Sequence, residues 1–343
     1  MKPFFKKLSA FSFFLLFTIF SILFFFLAYL LIIKTASLSL SGLDFRALYT
    51  AGIMINHGVS AGFYNLSTQF FWQNSIFNLP SKIYLMPFLN PPFIALFFSP
   101  LAELPIRTAY IFFSIANTIL AIIVFYLLCS SVNKKSFVQT VTLFLFFVCF
   151  SPVWITLLQA QWSFLLLLGF VLASYLFPKN KKFLAGLSFC LFLIRPHLLL
   201  LPVLLLVVKR QWKALLGLGF GVFIFTLISY LLVGFKGLKN YIELLSSAPF
   251  WGDKLTVHPT LEPTLRGFLQ SVLHTNLILP VLPFFIFGAL LTIFLMKNSL
   301  FNFNFATLVT VTLFTSIHTN YHDLVLLLLP CVFIIISIKK IFI

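Results

Sequence analysis

The chain consists of long apolar stretches separated by short segments that carry nearly all of its charged residues. A helix needs about 20 consecutive apolar residues to cross the ~30 Å hydrocarbon core of a bilayer. Eight stretches approach that length and predict membrane helices, at 11–33, 106–128, 137–157, 162–178, 214–234, 276–296, 301–317 and 323–338. The first is too long for the apolar part of a signal peptide, and no small-residue cleavage site follows it. We therefore expect it to be retained as a membrane helix.

A further apolar region, 183–208, is divided into two shorter halves by Arg195-Pro196-His197. Proline interrupts the hydrogen-bond ladder of a helix, so the two halves form either a bent pair or a re-entrant hairpin, and the sequence does not decide between them. The pattern predicts an all-α fold, a polytopic transmembrane helical bundle with about 9–11 membrane helices. We expect residues 1–343 to form one integral membrane domain.

The composition agrees with this pattern, because 61% of the residues are hydrophobic and only 8% are charged. Soluble domains carry roughly 25% charged residues, so this chain needs lipid to cover its surface. The net charge of +17 does not indicate a nucleic-acid partner, since the Lys residues lie in small clusters between apolar runs. Such clusters are typical of the positively charged cytoplasmic loops of membrane proteins.

The distribution of charge predicts the orientation. With the N-terminus in the cytoplasm and alternating spans, the outer segments hold all six acidic residues and eight basic residues, and Arg195 lies inside the membrane zone. The cytoplasmic segments then hold no acidic residue and fourteen of the 23 basic ones: Lys2, Lys6, Lys7, Lys134, Lys135, Lys179, Lys181, Lys182, Lys209, Arg210, Lys213, Lys297, Lys339 and Lys340. We therefore expect both termini in the cytoplasm and a multi-pass protein of the bacterial inner (cytoplasmic) membrane.

Two outer regions, 34–107 and 235–275, are large enough to build a site, and the first is the candidate active site. Neither has the polar bulk of a separate domain. Their amphipathic pieces, Ala47–Gly58, Asn90–Leu104 and Gly237–Ser247, are expected to lie along the outer membrane surface. Any chemistry of this chain is therefore expected to face outward.

Two charged positions are candidates for chemistry. Asp44 follows the first membrane helix by about ten residues; a partly desolvated carboxylate there suits a general base, whereas the alternative is a helix N-cap. Arg195 lies inside an apolar region, where a guanidinium needs a partner or a water-filled cavity. It is either a phosphate ligand or the structural partner of an acid such as Asp44 or Asp323.

Polar residues at two other outer helix ends complete the candidates. Gln159 and Gln161 suit hydrogen bonds to a sugar or phosphate, or to helix ends. The segment His318–Asp323 (HTNYHD) is the densest polar cluster of the chain. It suggests side chains that line a site and form hydrogen bonds to a polar ligand. His318 and His322 have i, i+4 spacing, but that is a weak metal signal where the helix is not continuous, and we expect no metal.

Several function classes are disfavoured, because the chain has no Gly-rich phosphate loop, no G-x-S-x-G and no H-E-x-x-H motif. One remaining alternative is a transporter or lipid flippase, which predicts inverted repeats, and no internal repeat is visible. The other is a non-catalytic assembly factor, which would tolerate the loss of Asp44.

Taken in order, the polar landmarks resemble glycosyltransferase family 87, polytopic enzymes of the GT-C class that use polyprenyl-phosphate sugars. The resemblance covers about residues 43–331. Its landmarks are Asp44-Phe45 with Tyr49-x-Ala51-Gly52 and Phe63-Tyr64, Asn90-Pro91-Pro92-Phe93, Ser99-Pro100-Leu101-Ala102-x-Leu104-Pro105, Gln161, Ala185-Gly186-Leu187 to Arg195-Pro196-His197, Lys209–Lys213 and Tyr321-His322-Asp323-Leu324 to Pro330. The chain departs from the family at Asn90 (usually aromatic), Ala160 (often Gly) and Arg195 (often Lys).

The resemblance implies a hexosyltransferase, with mannose as the best-known sugar of the family, acting on a lipid, glycan or protein acceptor in the membrane. It implies that Asp44 is the catalytic base. Arg195 with His197 would bind the donor phosphate, with Arg46 or Arg266 as alternatives. Substrate contacts are expected from Gln161, Tyr49, His318, Tyr321, His322 and Asp323. No cofactor is expected besides the lipid-linked sugar that serves as donor substrate.

Overall fold

The computed structural model describes residues 2–37, 44–130, 137–248, 262–273, 286, 288–290, 294, 301–316 and 318–337. Within these ranges the backbone forms helices joined by turns and short extended connections, and it forms no strand. The predicted all-α fold is therefore confirmed.

The helices follow the apolar pattern of the sequence closely. The α-helices are Lys2–Ser37, Phe45–Asn56, Leu66–Phe77, Pro92–Phe98, Ile106–Ser130, Phe137–Cys149, Ser151–Leu158, Ser163–Leu176, Lys182–Ser188, Leu200–Val208, Trp212–Ser247, Leu265–Leu273, Phe301–Thr315 and Leu328–Ser337. Short 3-10 helices occur at Lys82–Tyr84, Leu101–Glu103, Phe189–Ile194, Pro196–Leu199 and Tyr321–Leu327. The membrane helix predicted at 276–296 lies almost entirely outside the described residues.

Three of the described helices are long and apolar enough to cross a membrane, namely Phe14–Ala36, Ile106–Ser130 and Trp212–Ser247. Large apolar side chains on their surfaces, such as Phe112 and Leu231, are more than half exposed. Exposing such surfaces to water is unfavourable, so this is a membrane protein whose helices are covered by lipid.

Other apolar segments are bent or short. Gln139–Cys149 and Ser151–Leu158 would form one further span with a bend of 47°, where Pro152 interrupts the backbone ladder. Shorter apolar helices lie at Ser163–Leu176, Lys182–Ile194, Pro196–Val208, Phe305–Thr315 and Tyr321–Ile334. Because these fall below the length of a full span, the number of 9–11 membrane helices stays a prediction.

The region 183–208 forms a helical hairpin with Arg195 at its tip. The first arm packs against the helix Trp212–Ser247. Later residues of the arm contact later residues of that helix, from Gly186 beside Ala214 to Cys190 beside Gly221. These two helices therefore run in the same direction. The second arm ends at Val208, immediately before the short turn into the same long helix, so it runs back. Both ends of the region 183–208 therefore lie on the same side of the fold.

The first outer region packs inside the protein more than the sequence suggests. Its helix Phe45–Asn56 was expected at the membrane surface, but most of its residues are buried. The reason is a close approach at Gly52, where a Cβ would lie 2.5 Å from the carbonyl oxygen of Phe98. In the second outer region, the predicted piece Gly237–Ser247 continues the long helix beyond a kink at Gly234, which has φ 67°.

Candidate active site

Asp44 lies directly before the helix Phe45–Asn56, where its sequence position suits an N-cap. Its side chain nevertheless makes no capping hydrogen bond. The carboxylate oxygen Oδ2 instead accepts a hydrogen bond of 2.6 Å from the Nε2 of Gln161. The N-cap hypothesis for Asp44 is therefore wrong, and the physical reason is competition from an amide that lies 117 residues further along the chain.

Gln161 belongs to the turn that ends the helix Ser151–Leu158. Ala160 adopts a left-handed conformation with φ 51°. The N–H of Ala160 donates to the carbonyl of Leu157, and the N–H of Gln161 donates to that of Thr156. This is the hydrogen-bond pattern of a Schellman motif. A Cβ is unfavourable in the left-handed region, so the glycine that the sequence resemblance leads one to expect at this position would suit this turn.

Arg195, at the tip of the hairpin, forms an ion pair with Asp323. Asp323 is fully buried and also accepts hydrogen bonds from the hydroxyl of Ser163 (2.9 Å) and the N–H of Asn320 (3.1 Å). One alternative from the sequence, that Arg195 pairs with an acid, is thus realised with Asp323. The guanidinium also reaches Gln161, with its Nη2 3.4 Å from the amide oxygen Oε1.

His322 is a third partner of Arg195, with 2.6 Å between its Nε2 and the Nη2 of the guanidinium. A guanidinium has only N–H donors and no acceptor. The Nε2 of His322 must therefore accept this bond, so the buried ring is neutral and carries its proton on Nδ1. In this arrangement His322 supports Arg195, while its own carbonyl accepts a bond from the hydroxyl of Thr156.

A second polar cluster lies beside the first and contains a residue that sequence reasoning missed. Glu262 is buried, and its Oε1 lies 2.6 Å from the Nδ1 of His318 and 3.9 Å from a guanidinium nitrogen of Arg266. The ring of His318 lies 6.2 Å from that of His197, between the centroids. The only sequence signal for Glu262 was its i, i+4 spacing to Arg266. An open cleft of about 540 Å³, lined in part by Phe268 and Phe314, adjoins Glu262.

Two predicted site residues have their partners outside both clusters. Arg46 is buried, donates to the carbonyl of Tyr84 (2.5 Å) and lies over the ring of Phe77. Burial lowers the pKa of Arg46 to about 10, so it is still charged at neutral pH. The hydroxyl of Tyr49 donates to the carbonyl of Leu104 (2.8 Å). These contacts give both residues a role in holding the outer region together.

Tyr321 is about half exposed and makes no hydrogen bond within the described part of the chain. No group of three His, Cys, Asp or Glu side chains suited to a metal ion occurs among the described residues. The site therefore consists of two carboxylate–cation clusters, one around Arg195 and one around Glu262, and the ring of His197 lies beside that of His318 in the second.

This arrangement can combine acid–base and electrostatic chemistry. Among the described residues no donor contacts Asp44 Oδ1, and a carboxylate oxygen is a group that can accept a proton. Gln161 connects the carboxylate of Asp44 with the guanidinium of Arg195. A base and a cation joined by one amide suit a reaction in which a proton is removed and an anion leaves.

The comparison with protein families agrees with this chemistry. The model of glycosyltransferase family 87 matches residues 88–330, more than two thirds of the chain. The matched range includes Gln161, Arg195, Arg266 and the segment His318–Asp323, whereas Asp44 precedes it. Searches of the curated proteins and of the solved structures gave no match. With its all-α fold, its lipid-covered helices and this match, the chain belongs to glycosyltransferase family 87.

Proposed function

We propose that this glycosyltransferase moves a sugar, a hexose such as mannose, from a polyprenyl-phosphate donor to an acceptor hydroxyl on the extracytoplasmic side of the membrane. The observation that carries the proposal is the amide of Gln161, which binds the carboxylate of Asp44 at one end and approaches the guanidinium of Arg195 at the other. The acceptor is a lipid, a glycan or a protein. Membrane lipids surround the helices, and no further cofactor takes part.

In the proposed step, Asp44 Oδ1 takes the proton of the acceptor hydroxyl. The acceptor oxygen forms a bond to the anomeric carbon of the donor sugar as the bond between that carbon and the phosphate oxygen breaks. The electron pair of the broken bond leaves with polyprenyl phosphate, and the proton remains on Asp44 until it is released to water. General-base assistance of this kind contributes typically 10²- to 10⁴-fold to a rate.

The departing phosphate needs positive charge, and Arg195 is the cation that fits best. The amide of Gln161 joins it to Asp44, whereas Arg46 already contacts the carbonyl of Tyr84 and the ring of Phe77. Arg266 belongs to the other cluster, where it lies beside Glu262. Arg195 is paired with Asp323, so the phosphate would share its guanidinium with that carboxylate. His197, next to Arg195 in the hairpin tip, is placed to contribute a further hydrogen bond.

One observation supports the choice of a polyprenyl-phosphate donor, and another supports the outward orientation of the site. A polyprenyl chain would lie against the exposed apolar side chains of the helices, which gives the enzyme a reason to be in the membrane. The acidic residues Asp44, Glu262 and Asp323 belong to segments that the charge distribution assigns to the outer side, as do Arg46 and Arg266, whereas Arg195 lies within an apolar region.

The test is a transfer assay with purified protein in synthetic phospholipid, an acceptor extract freed of polyprenyl phosphate, and a panel of radiolabelled donors. We expect labelled product from a polyprenyl-phosphate hexose and none from the matching nucleotide sugar when polyprenyl phosphate is absent. Equal product from the nucleotide sugar would contradict the donor assignment. Sealed right-side-out and inverted vesicles compare the two sides; activity confined to inverted vesicles would contradict the orientation.

A further inference from the structure

The segment Gln159-Ala160-Gln161 contacts Asp44 from two sides. The backbone N–H of Asp44 donates to the Oε1 of Gln159 (3.1 Å), and the carboxylate accepts from the Nε2 of Gln161 (2.6 Å). One contact fixes the main chain of Asp44, and the other fixes the rotation of its carboxylate. The two glutamines therefore constrain Asp44 more tightly than a single hydrogen bond to the side chain would.

The backbone of this segment is itself well held. The left-handed conformation of Ala160, which is fully buried, closes the Schellman turn between the two glutamines. The carbonyl of Gln161 accepts a further hydrogen bond of 2.9 Å from the amide of Asn117. Gln161 is thus anchored through its main chain, and its side chain is mostly buried. Such anchoring is what a residue needs to orient another side chain.

The neighbours of Gln161 also determine which way its amide points. Its nitrogen lies against the carboxylate of Asp44, and its oxygen faces the guanidinium of Arg195. The reversed amide would place oxygen against oxygen and N–H against N–H, which is unfavourable at both ends. With this orientation Oδ2 of Asp44 is occupied by Gln161, and Oδ1 is left for the acceptor hydroxyl.

We propose that Gln161 is a positioning residue for the general base, which fixes the carboxylate of Asp44 so that Oδ1 meets the acceptor hydroxyl. This assignment replaces the substrate contact that the sequence suggests for Gln161. It rests on the proposed function, because a positioning role has meaning only if Asp44 takes the proton. A base that is misplaced by about 1 Å can lose roughly 10²-fold in rate.

The experiment measures kcat and the KM of the donor for two variants at Gln161, with the polyprenyl-phosphate sugar that supports transfer. Gln161→Leu removes both ends of the amide. Gln161→Glu keeps an oxygen for Arg195 but, while ionised, has no N–H for Asp44. A positioning role predicts that both variants lose roughly 10- to 100-fold in kcat, while KM changes less than about threefold.

A matched control is Gln73→Leu, because Gln73 is another buried glutamine whose amide is bonded on both sides, to the main chain of Met86. It should lower the thermal stability at least as much as Gln161→Leu while kcat of the folded protein stays unchanged. The inference is overturned if Gln161→Leu raises KM with an unchanged kcat, which indicates a substrate ligand. Wild-type kcat in Gln161→Glu also overturns it.

Asp44→Asn, measured in parallel, separates this inference from the proposed function. If Asp44→Asn is inactive and the Gln161 variants keep their kcat, the proposed function stands and the positioning role is wrong. If Asp44→Asn is fully active, Asp44 is not the base, and both assignments are wrong.

Discussion

The ion pair between Arg195 and Asp323 allows structural and functional roles to be separated. Asp323 is fully buried, and the Arg195 side chain is 11% exposed. Replacing Asp323 with Asn keeps the size of the side chain but leaves a buried guanidinium without its counter-charge. Removing one partner of a buried pair costs about 3–5 kcal/mol. Because His322 and Gln161 still accept bonds from Arg195, we expect the lower end of that range for Asp323→Asn.

Arg195→Met should lower the free energy of unfolding for the opposite reason. It leaves the carboxylate of Asp323 with two neutral donors among the described residues, Ser163 and Asn320. The double variant, Arg195→Met with Asp323→Leu, removes both charges. Replacing a buried ion pair with apolar residues of similar size is often close to neutral. The double variant is therefore expected to be more stable than either single variant.

The assay is the free energy of unfolding in mixed detergent micelles for the wild type, the single variants and the double variant, together with sugar transfer. We expect the double variant to fold and yet to lose transfer, because the cation for the leaving phosphate is gone. If the loss of unfolding free energy in the double variant equals the sum of the losses in the two single variants, the residues are not coupled and this reasoning is wrong. Near-normal transfer by the folded double variant would refute the role of Arg195 in catalysis.

Two further predictions concern the packing around the site. Gly186→Ala should prevent normal folding, because its Cβ would lie 1.8 Å from the carbonyl oxygen of Ala214. The control is Gly219→Ala, whose Cβ would meet nothing within 4 Å. The two variants are compared by their yield of monodisperse protein in size-exclusion chromatography. Tyr49→Phe should cost about 1 kcal/mol through the lost bond to Leu104 and leave transfer within about twofold. A large rise in the donor KM of Tyr49→Phe would instead support the substrate contact that the sequence suggests.

The presence of apolar helices follows from the sequence, because long apolar runs and short charged connections leave few alternatives. Their ends do not, since the span predicted at 11–33 is the helix Lys2–Ser37 and that predicted at 214–234 is the helix Trp212–Ser247. The pairing of residues across the fold does not follow from the sequence either. Arg195 and Asp323 lie 128 positions apart, and both Asp44 and Asp323 were possible partners by charge. The choice depends on how the hairpin tip packs against the helix Ser163–Leu176 and the segment that carries Asp323, which apolar periodicity does not specify.

Three local outcomes show the same limit. Asp44 has the sequence context of an N-cap, but the amide of Gln161 competes for its carboxylate. A bent pair and a hairpin at 183–208 would have the same basic residues at their ends, so the distribution of charge along the sequence could not distinguish the two arrangements. Glu262 gave no strong signal, because its partnership with His318 spans 56 positions. Long-range tertiary contacts decide all three cases.

The measurement that tests the account most directly is sugar transfer by purified wild-type protein and Asp44→Asn in lipid nanodiscs, at equal amounts of folded protein. The donor is a radiolabelled polyprenyl-phosphate hexose, and the acceptor is native lipid extract. If Asp44 is the general base, Asp44→Asn lowers the rate by about 10²- to 10⁴-fold. Transfer by Asp44→Asn at the wild-type rate would contradict the central claim.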